Sequence, residues 1–264
     1  MHITDTAKIK LPYGYLLSNT PIFIRGIGTA ISPKLKVLYA ENADNWQAYI
    51  FAQAVATSSS LSFIKIAEAF IGQPLPSELK RSGKFDIIIQ NPVLRDVLVE
   101  ALSLFFTEKV VYDDSFSAFI FFNPKSSDVI GCLNSDTFDI YCSVISQLMH
   151  IGDKDESEKE KNPLERDLSA LPPEVIHALE MFDKYSKQTE PSSSSTYNLD
   201  NIISKMCAAN SGYNLLTIYD LTIFQLYDQF QAYSQNRLSA LSERSFSIWG
   251  GEDFDYELWL KNNN

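Results

Sequence analysis

Proton transfer and nucleophilic attack draw on a short inventory of side chains, and this chain has few of them in useful positions. Its three histidines are His2, His150 and His177, and its three cysteines are Cys132, Cys142 and Cys207. A serine or cysteine nucleophile needs an activating base beside it. His2 stands next to the first residue, while His150 ends a predicted helix, where an imidazolium would complement the dipole. His177 lies on the helix predicted within the tether, where its ring is expected in water. The sequence contains no Gly-x-Ser-x-Gly elbow, Walker-type phosphate loop or His-Glu-x-x-His. Arg25-Gly-Ile-Gly28 carries glycines but lacks the further glycine and following helix that cradle a phosphate, so it reads as a turn. The acidic pairs Asp113/Asp114, Glu252/Asp253 and Asp253/Asp255 lie in turn-like or terminal segments. General acid catalysis needs a carboxyl in an apolar setting, and wet turns do not provide one. Calcium would need the spaced oxygen ligands of an EF-hand, which are missing. An odd number of cysteines without CxxC spacing fits a reducing compartment better than disulfides or zinc. The expectation is therefore no catalytic residue, no metal and no cofactor. The enzymatic alternative is a carboxylate-dependent hydrolase, which would require a buried acidic pair in a deep pocket.

Charge narrows the choice of partners. The 264 residues have a formal net charge of -11 and a pI of about 4.7. Such a surface repels phosphate backbones and anionic lipid, so neither nucleic acid nor membrane is an expected partner. The short basic groups Lys8/Lys10, Lys34/Lys36 and Lys80/Arg81/Lys84 read as solvated faces. Met1-His2-Ile3-Thr4-Asp5 has neither the basic nor the apolar region of a signal peptide. No apolar run approaches the roughly 18 residues of a membrane span. The expected location is the cytoplasm (a host's, if the protein is viral), or else a virion.

The pattern along the chain predicts an α+β protein with a mixed N-terminal domain, an acidic tether and a helical C-terminal domain. In the first domain, residues 1–150, strands are predicted at Lys8–Tyr15, Pro21–Arg25, Lys34–Tyr39 and Phe85–Gln90. Further strands at Val110–Tyr112 and Phe116–Phe122 form a hairpin around Asp113-Asp114-Ser115, followed by Val129–Leu133. Helices are predicted over Asn42–Val55, capped by Asn42 or Asp44, over Leu61–Ile71, stopped by Gly72 and Pro74, and from Asn91-Pro92 through Phe106. The last carries Val93, Val97, Leu98, Ala101, Leu102 and Phe105 on its apolar face. Thr137–His150, capped by Ser135 or Asp136, would bury Phe138, Tyr141, Cys142, Ile145 and Leu148.

Residues 151–197 form the tether. Asp153–Asp167 holds seven acidic and four basic residues, one helix is predicted at about 172–186, and Pro191 with four serines makes a linker. Residues 198–264 are predicted helical, first over Ile202–Asn210 with Asn198 or Asp200 as cap. From Tyr219 to Leu241 a wide stripe carries Leu221, Phe224, Leu226, Tyr227, Phe230 and Tyr233 at helical spacing. The end of the chain alternates large apolar and acidic residues: Trp249, Phe254, Tyr256 and Trp259 among Glu252, Asp253, Asp255 and Glu257. Aromatic anchors rimmed by charge suit protein interfaces. The same side chains would also serve as core if the tail folds back on its own helix.

Two stretches resemble a known group. Gly131-Cys-Leu-Asn-Ser-Asp-Thr-Phe-Asp-Ile-Tyr-Cys-Ser-Val-Ile145 is one, and Asn201-Ile-Ile-Ser with Ser211-Gly-Tyr-Asn-Leu-Leu-Thr-Ile-Tyr-Asp-Leu-Thr-Ile-Phe-Gln-Leu-Tyr-Asp-Gln-Phe230 is the other, continued by Trp249-Gly and Phe254 to Trp259. Together they resemble tail assembly chaperone-type proteins of phages infecting Gram-positive bacteria, mainly in the C-terminal third. The resemblance implies a non-enzymatic protein that binds the tape-measure protein and tail-tube subunits. A structural component of the tail or baseplate is the close alternative, and a homo-oligomer remains open. Residues expected to contact partners are Leu221, Phe224, Tyr227, Phe230, Trp249, Phe254 and Trp259.

Overall fold

The protein is described from a computed structural model, which defines residues 9–40, 43–151, 199–209 and 212–249. The chain divides into two compact units, one built from the described parts of Met1–Gly152 and Leu216–Asn264, the other from those of Asp153–Leu215. The fold is α+β, with two small antiparallel sheets and a helical C-terminal part.

The first unit is organised around α3 (Ala43–Thr57), whose Ala48, Tyr49, Phe51, Ala52, Ala54 and Val55 are all buried. Alanines at three of those positions let neighbouring helices approach closely. Against it pack α6 (Pro92–Phe105) and α7 (Phe138–Leu148), with α4 (Ser60–Ile71) and α2 (Leu35–Leu38) also in contact. Asn91 caps α6 as its sequence predicts, its Oδ1 accepting from the amides of Val93 and Leu94 with Pro92 at the first helical position. The buried face is Leu94, Leu98, Ala101, Leu102 and Phe105, whereas Val93 is 46% exposed. Gly72 ends α4 at φ 74°, the left-handed geometry a glycine C-cap supplies. Asp44 lies inside α3 rather than capping it, and Asn42 is outside the described residues.

Three of the predicted strands are helices or contain one. Lys34–Tyr39 alternates in sequence, yet Leu35 and Leu38 are the buried pair, an i, i+3 spacing that only the helix α2 provides. Phe85–Gln90 becomes α5 (Lys84–Ile89), burying Phe85, Ile87 and Ile88 despite its β-branched run. Tertiary burial overrides strand propensity there. Within Lys8–Tyr15, the chain turns into α1 (Tyr13–Ser18) after Pro12, and α1 ends on Asn19 at φ 51°.

The remaining predicted strands match their places, and Gly28–Ala30 is a further strand that the sequence did not suggest. β1 (Ile22–Ile24) and β2 (Gly28–Ala30) form a hairpin whose turn is the glycine segment read as a loop. β3 (Lys109–Asp113), β4 (Ala118–Phe122) and β5 (Val129–Leu133) follow in the order β3-β4-β5, antiparallel throughout. β5 lies on the β1–β2 turn, with the Cys132 amide donating to the Gly26 carbonyl at 3.0 Å. That approach demands Gly131, because a Cβ there would sit 2.5 Å from the Gly26 carbonyl carbon and oxygen. α7 starts from neither Ser135 nor Asp136. Asn134 holds the turn instead, its Oδ1 accepting from the amides of Asp136 and Thr137 while Thr137 Oγ1 accepts from the Asn134 amide. In α7, Val144 is buried along with Phe138, Tyr141, Ile145 and Leu148, and Cys142 is half-buried.

The helical region predicted over 198–264 is divided between the units. α8 (Leu199–Ala209) belongs to the second unit and buries Leu199, Ile202, Ile203 and Met206 along one face; Asp200 lies in its first turn. α9 (Ile223–Trp249) belongs to the first. Its start is stitched in by backbone bonds: Leu35 donates to the Leu221 carbonyl at 2.9 Å and Ile223 to the Pro33 carbonyl at 3.0 Å. The predicted tether, its helix and the Ser-rich linker lie outside the described residues.

Candidate protein-interaction site

The expected contact residues of α9 begin in the core. Leu221 is half-buried. Phe224 is 4% exposed, with its ring 5.8 Å from Tyr13 and 4.7 Å from His150. Tyr227 is half-buried and shares a hydrogen bond with Tyr49, and Phe230 is half-buried. Trp249 closes α9, with its side chain outside the described residues, as are Phe254 and Trp259. The structure thus places Phe224 and Tyr227 on the packed flank of α9 and Leu221 just before its start, with neighbours on α1, α2 and α3.

Two polar clusters hold this docking. Tyr13 Oη donates to Asp228 Oδ1 at 2.5 Å, and His150 Nε2 lies 3.5 Å from the same oxygen. Burial and the Asp228 carboxylate push the Tyr13 hydroxyl up to about 12, so it remains a donor. His150 follows α7 at φ 57°, and this turn aims its ring at α9. On the other side Tyr39, Trp46 and Tyr49 form a run of rings 5.5–5.6 Å apart, extended by Tyr219 at 5.6 Å from Tyr39. Lys36 pairs with Asp220 at 2.8 Å and holds that carboxyl below its usual range, through a hydrogen bond first and charge second.

Other groups singled out by type have structural settings. Lys84, expected on a solvated face, is half-buried, and its Nζ donates to the Val55 carbonyl at 2.8 Å, with burial lowering its pKa. Burial pushes the Cys142 thiol up to about 12, which suppresses the thiolate. Asp113 Oδ1 accepts from the Ser115 amide within its turn, and Asp114 pairs with Arg95 at 2.5 Å. Glu108 is a buried carboxylate whose two oxygens each lie 2.9 Å from the Thr29 amide. His2, His177, Glu252, Asp253 and Asp255 lie outside the described residues. Among the described residues no cluster could hold a metal ion, and no helix is long and apolar enough to cross a membrane.

The apolar surface that sequence reasoning passed over is a sheet face. Tyr112, Phe119 and Leu133 form one cross-strand row pointing into the core, where Phe119 and Leu133 are fully buried. The adjacent row, Val111, Ile120 and Cys132, must point the opposite way. Val111 is 42% exposed, and Ile120 and Cys132 are half-buried. Val129, paired with Phe122, is 63% exposed on the same face, and Phe116 in the β3–β4 turn is 73% exposed. Alternation in the sequence carried the signal, although which face would be covered depends on where α6 packs.

Residues 187–264 match the family of the YomV second domain. This is a phage-type domain, and it coincides with the C-terminal third that carries the resemblance. No curated protein and no solved structure matches the chain.

Proposed function

We propose that the protein is a non-enzymatic phage tail assembly protein, a chaperone that binds the tape-measure protein and tail-tube subunits. The observation that carries this reading is the phage-type YomV second domain over residues 187–264, the region whose apolar stripe and aromatic end resemble assembly chaperones. Exposed Val111 and Val129 on the outer sheet face, with Phe116 in the β3–β4 turn, supply apolar surface of the kind that shields aggregation-prone segments. A net charge of -11 keeps such a protein in solution while its apolar surface is unoccupied. The groups most suited to acid–base chemistry, His150, Asp228 and Tyr13, serve here to fasten α9 to α1 and the end of α7.

Co-expression of the tagged full chain with the tape-measure and tail-tube proteins encoded beside it tests the proposal. The tape-measure protein should co-elute, and a chain ending at Ser247, lacking Trp249, Phe254 and Trp259, should capture less of it. Elution of the full chain without either protein would contradict the assembly role. Undiminished capture by the shortened chain would remove the tail residues from the contact set. Presence of the protein in purified particles would favour the structural tail component over the chaperone.

A further inference from the structure

The outward face of the three-stranded sheet is apolar in its middle and charged at its two ends. Along β3 the outward residues are Lys109, Val111 and Asp113, and beside Val111 stand Ile120 of β4 and Cys132 of β5. Lys109 is aligned with Phe122 and Val129. Lys109 and Asp113 are the only charged side chains in the three strands. Among the described residues neither has an ion-pair partner, and Asp113 accepts from the Ser115 amide of its own turn. The adjoining turns add little net charge. Asp114 pairs with Arg95, and the β4–β5 turn carries one residue of each sign, Lys125 and Asp128. Glu108, next to Lys109, is buried on the Thr29 amide.

From this pattern we infer that the outward sheet face pairs with the same face of a second copy, the two sheets stacked with β3 antiparallel to β3. A two-fold axis lying between the sheets and crossing the strands at Val111, Ile120 and Cys132 places each of these residues over its counterpart. The same rotation turns the sheet end for end. Lys109 of each copy then meets Asp113 of the other, and Phe116, in the turn at the Asp113 end, faces the Phe122 end of the other sheet. A two-fold axis along the strands would leave both charges without a partner. Charge also makes a second copy the fitting occupant: a uniformly basic or acidic segment would match one end of the face and oppose the other. The face spans about 10 Å from β3 to β5 and about 17 Å along the strands. That is small beside the roughly 800 Å² each partner buries in a standard interface, so the pair forms and parts reversibly. The inference concerns the free protein and goes beyond the assembly role.

Sedimentation equilibrium of the full chain alone, over a series of concentrations, tests this. A monomer–dimer equilibrium is expected, shifted toward monomer by added salt. Stacked sheets lie about 10 Å apart, so a short bis-maleimide should link two chains through Cys132. Cys132→Ser should abolish that link although Cys142 and Cys207 remain. Lys109→Glu, a change at an exposed side chain, should weaken the dimer about tenfold with the unfolding midpoint unchanged. Mixing Lys109→Glu with Asp113→Lys, its midpoint checked in the same way, should restore association, because both cross-pairs of the mixed dimer again have opposite sign. A chain that stays monomeric at every concentration would overturn the inference. So would a dimer that Lys109→Glu leaves intact, or a mixture that does not recover association, since another surface would then hold the copies.

Discussion

The hydroxyl of Tyr141 is buried without a hydrogen-bond partner among the described residues, and its ring lies 6.3 and 6.1 Å from those of Phe106 and Phe138. A desolvated hydroxyl that makes no bond costs stability, on the order of 1–3 kcal/mol in mutational terms. Tyr141→Phe should therefore be neutral or stabilising by about 1 kcal/mol, read as the denaturant midpoint; a clear loss would reveal a bond to this oxygen. Tyrosines also set the response to alkali. Tyr13 is raised from 10.0 to about 12, by burial first and the Asp228 hydrogen bond second, and burial raises Tyr49, Tyr141 and Tyr227 in the same direction. Their folded values exceed the unfolded one, so the stabilisation is complete below about pH 10 and declines above it, the Tyr13 share being lost as pH rises through about 12. The unfolding midpoint should be level with respect to these groups up to pH 10 and fall above it; a midpoint that stays level as pH rises through about 12 would contradict the linkage. Some residues announced their roles in sequence. Asn91-Pro92 read directly as a cap and first turn, because that chemistry is local. Asn134 gave no comparable signal, since its turn depends on Thr137 folding back onto it.

Among elements, α9 carries the account. Ile223, Phe224 and Leu226 are buried at its start, and Phe224 touches both Tyr13 of α1 and His150, two residues beyond α7. Phe224→Ala should destabilise the first unit by about 3–5 kcal/mol, measured by chemical denaturation. A cost below about 1 kcal/mol, the range of an exposed site, would mean that Phe224 is free to meet a partner. The helical stripe was legible as a stripe, but sequence could not tell a stripe facing another part of the same chain from one offered outward. The same limit explains the short helices. α2 and α5 occupy four and six residues, too few for periodicity to separate a helix from a strand. For α2 the neighbouring contact is non-local, the Ile223 amide donating to the Pro33 carbonyl. β3, β4 and β5 were legible because alternation and a polar turn recur within a short window.

For the molecule as a whole, composition spoke to charge and the chain pattern to fold class, while packing decided which segments share a core. Residues far apart in sequence, such as Tyr13, His150 and Asp228, close one unit, and no local pattern joins them. The proposed role places apolar surface on a strongly acidic body, an arrangement that keeps a sticky client in solution. Solubility of the tape-measure protein, expressed with and without this chain, tests that claim most directly. The account predicts a several-fold rise in the soluble fraction, with the two proteins migrating together in gel filtration. A tape-measure protein that remains equally insoluble, or becomes soluble without any association, would contradict it.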